Sequence, residues 1–309
     1  MKPIAVTLGD PAGIGPEVVL KAIEGIDVPV WLFGNRKLAS QSGPVPPNVR
    51  FCEIASNRTN VRFGDTDPEY GRIALASIDA AVTAIERGQC DAIVTAPIHK
   101  QSIALAGSIF PGHTELLASR AGKKRYAYDY AMYFDSPSIR TALLSVHVPL
   151  TEAIASIDPQ AIAALAELTS RWFKQTYGSA PRIAVAGINP HAGEGGRFGR
   201  EEEIIARGVD AARKRHLSIE GPLPADTAFL ANRNGRYDVV LSMYHDQGLI
   251  AVKTLAFTES VNVTIGLPYL RCSVDHGTAF DIAGKGIADP APMRYAIEWA
   301  AKHVDRWTS

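Results

Sequence analysis

Cysteine is scarce: only Cys52, Cys90 and Cys272 occur, an odd number with no C-x-x-C spacing. That excludes a disulfide framework and suits a reducing compartment, so a cytoplasmic protein is expected. Net charge is absent too, since 32 Lys and Arg balance 32 Asp and Glu. Nucleic acid and anionic membranes are bound through basic faces, and neither is an expected partner. No apolar stretch approaches the roughly 20 residues that span a bilayer. The run Ile4-Ala5-Val6-Thr7-Leu8 is too short for a signal segment and reads as a strand. Internal repeats and low-complexity segments are missing as well. Apolar residues are not: 46% of the chain is hydrophobic and 21% charged, which builds a packed core. With 309 residues, two domains are favoured over one.

Short β-branched runs alternate with helix-like segments, the pattern of an α/β protein with largely parallel sheets. Strands are expected at 4–8, 30–33, 92–95, 142–146, 182–188, 239–243 and 261–265, with helical periodicity over 70–87, 159–174 and 201–214. Asp158 before Pro159 reads as an N-cap with proline in the first turn. The unusual turns follow strands: Gly-Asp-Pro-Ala-Gly-Ile-Gly after Leu8, Ala-Pro-Ile-His-Lys after Thr95, and Asn-Pro-His-Ala-Gly-Glu after Ile188. Ligands of open α/β sheets bind at that edge.

His147, His191 and His245 each stand at or just past the end of an expected strand, far apart in the chain. Three imidazoles from three strands leave a metal open positions for substrate or water. Imidazole alone does not choose among zinc, cobalt, nickel or iron, and any one of the three also reads as a hydrogen-bonded structural residue. Asp226 and Asp246 are further candidates, as ligands, orienting groups or proton acceptors.

The loop Pro111-Gly112-His113-Thr114-Glu115 leads into a short helix at 116–120, a natural anion site that is also an ordinary N-cap. Lys253, Asn262 and Arg271 are polar residues in apolar surroundings. Lys253, behind Leu249-Ile250-Ala251-Val252, reads as a lysine at a buried edge facing an anion, or as one snorkelling to solvent. Gly9, Gly13 and Gly15 do not match G-x-G-x-x-G, so a Rossmann fingerprint is absent. They read either as a close backbone approach or as a tight structural turn. The segment at 276–286 is too elaborate for a plain turn. Its Asp281 suits a ribose 2′-hydroxyl and would repel a 2′-phosphate, favouring NAD over NADP.

Two stretches, IAVTLGDPAGIGPEV (4–18) and HGTAFDIAGKGIADP (276–290), resemble the isocitrate and isopropylmalate dehydrogenase superfamily. Six more strings resemble the 4-hydroxythreonine-4-phosphate dehydrogenase family: TAPIHK (95–100), PGHTELLA (111–118), INPHAGEGG (188–196), GPLPADTAF (221–229), MYHDQG (243–248) and SVDHGTA (273–279). They run in order along nearly the whole chain. The resemblance implies two α/β/α domains with a cleft between them, residues 1–118 with 258–309 carrying the NAD segment and 119–257 carrying metal ligands and dimer contacts. It implies a divalent metal (zinc, cobalt, magnesium, nickel or manganese) on His147, His191 and His245. It places His113, Thr114, Lys253, Asn262 and Arg271 on a small phosphorylated substrate, and His276, Gly277, Ala279, Asp281 and Asp289 at the cofactor. A homodimer is implied, one histidine of each metal site coming from the partner.

The expected chemistry is NAD-linked oxidation of a secondary alcohol followed by decarboxylation, with Asp246 as proton acceptor and Asp226 as second choice. The Gly112–Glu115 loop argues for a phosphorylated substrate. It does not separate 4-phosphohydroxy-L-threonine from D-threonate or D-erythronate 4-phosphate. A phosphate acyltransferase-like enzyme and a non-catalytic ligand-binding protein are the readings from other classes.

Overall fold

The computed structural model describes residues 1–307. The chain divides into two units, one of Met1–Arg120 with the segment from Pro268 onward, the other Ala121–Leu267. Among the described residues the strands, in chain order, are β1 (Ile4–Thr7), β2 (Val30–Gly34), β3 (Arg50–Glu53), β4 (Ala92–Thr95), β5 (Ala131–Asp135), β6 (Arg140–Leu143), β7 (Ile183–Ala186), β8 (Ile219–Leu223), β9 (Val239–Ser242), β10 (Val261–Ile265) and β11 (Leu270–Ser273).

In the first unit the order is β3-β2-β1-β4-β11, every neighbouring pair parallel. All residues of β1 and β4 are buried, so both faces of these strands are covered, and continuous apolar runs rather than alternation mark them. Helix Pro68–Glu86 packs on β1, β2 and β4, and Ala291–His303 packs on β4 and β11. The first of these starts at an Asp67 cap, Pro68 occupying a position where its missing N–H is no loss. Its apolar ridge includes Tyr70, Ile73, Ala74, Ile78 and Val82.

The second unit has the order β10-β5-β6-β9-β7-β8. β5 runs antiparallel to both neighbours, whereas β6, β9, β7 and β8 are mutually parallel. Helix Pro159–Tyr177 begins where the Asp158 carboxylate accepts the Ala161 N–H at 2.8 Å and ends at Gly178. The core includes Phe134, Leu143, Ala186, Val240, Leu249 and Val252. The return to the first unit, expected at 258, comes at Pro268, because β10 pairs with β5 of the second unit. The first boundary falls at Arg120, where helix His113–Arg120 ends, rather than at 118. Among the described residues no helix is long and apolar enough to cross a membrane.

Candidate functional site

The sheet order brings β6, β9 and β7 side by side and parallel, so the loops behind them leave from one edge. These loops carry the three histidines. His245 is the first residue of helix His245–Ala256, and its Nδ1 lies 2.7 Å from Oδ1 of Asp246. That bond sets the tautomer with the proton on Nδ1 and leaves the Nε2 lone pair for a metal. His147 lies beyond β6, its ring 5.3 Å from that of His245 between centroids. The two rings, with Tyr244, Asp246, Val148 and Leu150, line a cavity of about 210 Å³.

His191 stands apart, in the segment Pro190–Gly196 behind β7, its ring 6.2 Å from that of Phe198. Among the described residues no three His, Cys, Asp or Glu side chains gather as a metal-holding group. One chain therefore brings together two of the three expected ligands. Two imidazoles beside an orienting carboxylate fit the nitrogen-donor preference of a divalent transition metal, with positions left to fill. Asp226 is exposed in the first turn of helix Ala225–Arg233, which packs against the His191 segment.

Three of the residues expected to meet a phosphorylated substrate, His113, Thr114 and Arg271, lie in the first unit. Arg271, in β11, is only 2% exposed, and its Nη2 donates to the Thr95 hydroxyl at 2.8 Å. Burial holds the guanidinium down at about 10. His113 opens helix His113–Arg120, with its Nε2 enclosed and making no hydrogen bond. Burial, and then the Arg271 charge, drive this imidazole well below its ordinary value, so it stays neutral near pH 7. Thr114 is buried in the first turn of the same helix.

Lys253 and Asn262 belong to the second unit. Asn262, on β10, is half-buried with its Oδ1 enclosed and without a hydrogen bond. Of the two readings of Lys253, a buried edge or solvent, its exposure agrees with the second. Its segment is helical, so Leu249, Val252 and Ala256 face inward while Lys253 points to the exposed side.

The segment expected at the cofactor is tied to the glycine-rich turn. The Ile14 N–H donates to the Thr278 carbonyl at 2.9 Å, and a Cβ on Gly13 would come within 2.9 Å of Thr278. Gly9 lies against the Pro97 carbonyl at φ 71°. The close approach that these glycines permit is thus to the chain's own backbone. Glu17 accepts from the Ala288 N–H at 2.9 Å, and Lys21 donates to the Gly286 and Ala288 carbonyls. Phe280 packs on the His99 ring, at 4.3 Å between centroids. Of the expected cofactor residues, Gly277, Asp281 and Asp289 are exposed, and Ala279 takes φ 41°. His276 Nδ1 faces the Gly277 carbonyl at 3.0 Å, and Asp289 accepts from the Ala291 N–H at 2.9 Å, starting a helix.

Four neighbours of these residues escaped the motif reading. Thr95 lies inside the string TAPIHK without a role attached. Glu202 and Gln247 hold the histidine loops. Asp10, fully buried in the glycine turn, is raised to about 6 by burial, even though its Oδ1 accepts the Ala12 N–H at 2.8 Å.

The family described as pyridoxal phosphate biosynthetic protein PdxA matches residues 15–300. A 4-hydroxythreonine-4-phosphate dehydrogenase of Beijerinckia indica is 41% identical over 323 positions, covering 97% of this chain and 94% of that protein. A protein of Oceanobacillus iheyensis, provisionally named a D-threonate 4-phosphate dehydrogenase, is 35% identical, covering 96% of each. The crystal structure of a 4-hydroxythreonine-4-phosphate dehydrogenase from Klebsiella pneumoniae superposes with a TM-score of 0.89 at 35% identity, over 98% of this chain and 100% of that one. A β-decarboxylating dehydrogenase from Thermococcus kodakarensis shares the fold alone, with a TM-score of 0.50 at 16% identity over 97% and 84% of the two chains.

Proposed function

This chain belongs to the family of pyridoxal phosphate biosynthetic protein PdxA, and from that premise we propose that it oxidises 4-phosphohydroxy-L-threonine. It is an oxidoreductase, a dehydrogenase of the 4-hydroxythreonine-4-phosphate kind. The secondary alcohol would give up a proton to the protein and a hydride to NAD held in the cofactor site. The resulting β-keto acid loses carbon dioxide to give 3-amino-2-oxopropyl phosphate. The observation that carries this reading is the pair His147 and His245 at 5.3 Å, with Asp246 on His245.

When bound, a divalent metal lowers the pKa of the substrate hydroxyl and NAD accepts the hydride. The rest is the work of the chain. His147, His191 and His245 hold the metal, the third imidazole of each site being supplied by a second copy of the chain in a homodimer. Asp246 fixes His245 through one carboxylate oxygen, and we assign the substrate proton to its other oxygen, with Asp226 as the alternative acceptor. In the first unit Arg271 and His113 bind phosphate as a charged and a neutral partner, joined by Thr114 at a helix start. Lys253 and Asn262 are assigned to the substrate on their motif match. His276, Gly277, Ala279, Asp281 and Asp289 are assigned to NAD, with Asp281 excluding a 2′-phosphate. The unpaired Cys52, Cys90 and Cys272 suit a reducing cytoplasm.

The Oceanobacillus relative favours a second reading, oxidation of D-threonate 4-phosphate or D-erythronate 4-phosphate. The deciding experiment follows NADH and carbon dioxide from all three phosphorylated acids in parallel. The proposal expects the highest kcat/KM on 4-phosphohydroxy-L-threonine. A clear preference for either sugar acid overturns it.

A further inference from the structure

His191 is presented by a backbone that L-amino acids avoid. Residues 191–195 have φ of 54°, 51°, 74°, 42° and 66°, and Gly196 continues at 92°. His191, Ala192 and Glu194 are not glycines, and each is disfavoured there by contact of its Cβ with the backbone. Such a run persists only where its surroundings over-determine it.

Those surroundings converge on Glu202, the second residue of helix Glu201–Arg213, only 7% exposed. One carboxylate oxygen accepts the N–H groups of Ile188 and Asn189 at 2.9 and 2.7 Å. The other accepts from Asn189 Nδ2 at 2.8 Å. Gly193 lies so close that a Cβ there would stand 2.8 Å from that second oxygen. Gln247 extends the clamp toward His245, donating to the Gly187 carbonyl at 2.8 Å and accepting the Met243 N–H at 2.7 Å.

A carboxylate at a helix start also serves the helix itself, by complementing its dipole. Glu201 and Glu203 supply the same charge in the same turn. Neither of them bonds the Ile188 or Asn189 backbone, and Glu201 shares only the Asn189 side chain, accepting from its Nδ2 at 2.7 Å.

We propose that Glu202 is a positioning residue whose carboxylate clamps the left-handed segment and so sets where the His191 imidazole stands. The inference rests on the reading of His191 as a metal ligand, and the experiment separates the two. Full-length wild type, Glu202→Gln, Glu203→Gln and His191→Ala are compared for Co²⁺ affinity, Co²⁺ absorption spectrum and amide exchange over residues 188–196. Gln places an NH₂ donor opposite the Asn189 Nδ2 donor, whereas Glu203→Gln removes the same charge from the same helix turn.

Glu202→Gln is expected to speed exchange across the segment and to weaken Co²⁺ binding by about tenfold to a hundredfold, with an altered spectrum. Glu203→Gln is expected to match wild type. Unchanged exchange and affinity in Glu202→Gln, or an equal effect of Glu203→Gln, overturns the proposal. If His191→Ala binds Co²⁺ like wild type, the ligand reading fails, and the exchange data still decide whether Glu202 holds the segment. Should Glu202→Gln fail to fold, Glu202→Asp, shorter by one methylene, is expected to show the same changes in weaker form; wild-type behaviour there counts against the clamp.

Discussion

The hydroxyl of Thr95 accepts a 2.8 Å hydrogen bond from Nη2 of Arg271, linking the last residue of β4 to the middle of β11. A guanidinium buried this deeply has lost its water, so each fixed donor directs the remaining ones. Thr95→Val keeps the shape and deletes the acceptor. The expected result is a KM for phosphorylated substrate raised about tenfold or more, with a smaller change in kcat. Thr95→Ser is expected to restore most of the loss. An unchanged KM in the valine variant removes Arg271 from the substrate.

His113 gives a pH signature of known sign. Its folded pKa lies well below the ordinary value because of burial and the Arg271 charge. As pH falls below about 6.5 the unfolded chain takes up a proton that the folded ring refuses, so stability is lost in that direction. Urea unfolding of wild type against His113→Gln is expected to show the wild type losing up to about 1.4 kcal/mol more per pH unit below that point. Parallel pH profiles would mean that the ring protonates in place.

Asp10 has the opposite sign. Its folded pKa is raised to about 6 from 3.8, first by burial. Its contribution to stability is present at low pH and lost as pH rises through about 6, above which a buried charge remains. Asp10→Asn, which keeps the acceptor for the Ala12 N–H, is expected to be more stable than wild type near pH 8. The gain is at most on the order of 3 kcal/mol, from about two units at 1.36 kcal/mol each. By about pH 4 the two proteins converge. A gain that does not depend on pH would assign it to packing instead.

Subunit mixing tests the proposal that the metal site is shared between two chains. His191→Ala and His245→Ala proteins are expected to be inactive alone and to regain part of the activity when unfolded together and refolded as mixed dimers. In a mixed dimer one site can draw an intact set from both chains. No recovery, with mixed dimers shown to form, would place all three ligands in one chain.

What the sequence made legible follows burial chemistry. β1 and β4 stand out because every residue is apolar or a buried Thr. β5, β11, β8 and β3 escaped because they carry Asp135, Arg271, the Gly221-Pro222 pair, and Arg50 with Glu53. In the first two of these the polar residue has a partner inside the fold, Asp135 in Tyr177 and Arg140, Arg271 in Thr95. The histidine loops were readable because each follows a strand. Lys253 stayed open between a buried edge and solvent because an apolar run has no face until its helical period is fixed. Glu202 was invisible for another reason: in Glu201-Glu202-Glu203 nothing in the letters says which carboxylate turns inward.

The measurement closest to the proposed chemistry is NADH formation from 4-phosphohydroxy-L-threonine and NAD by the purified protein, before chelation, after it, and after a divalent metal is returned. The expected result is turnover with equimolar carbon dioxide release, abolished by chelator and restored by metal. Full turnover in thoroughly chelated protein would contradict the metal site on His147, His191 and His245. No NADH in any of the three states would contradict the dehydrogenation of this substrate.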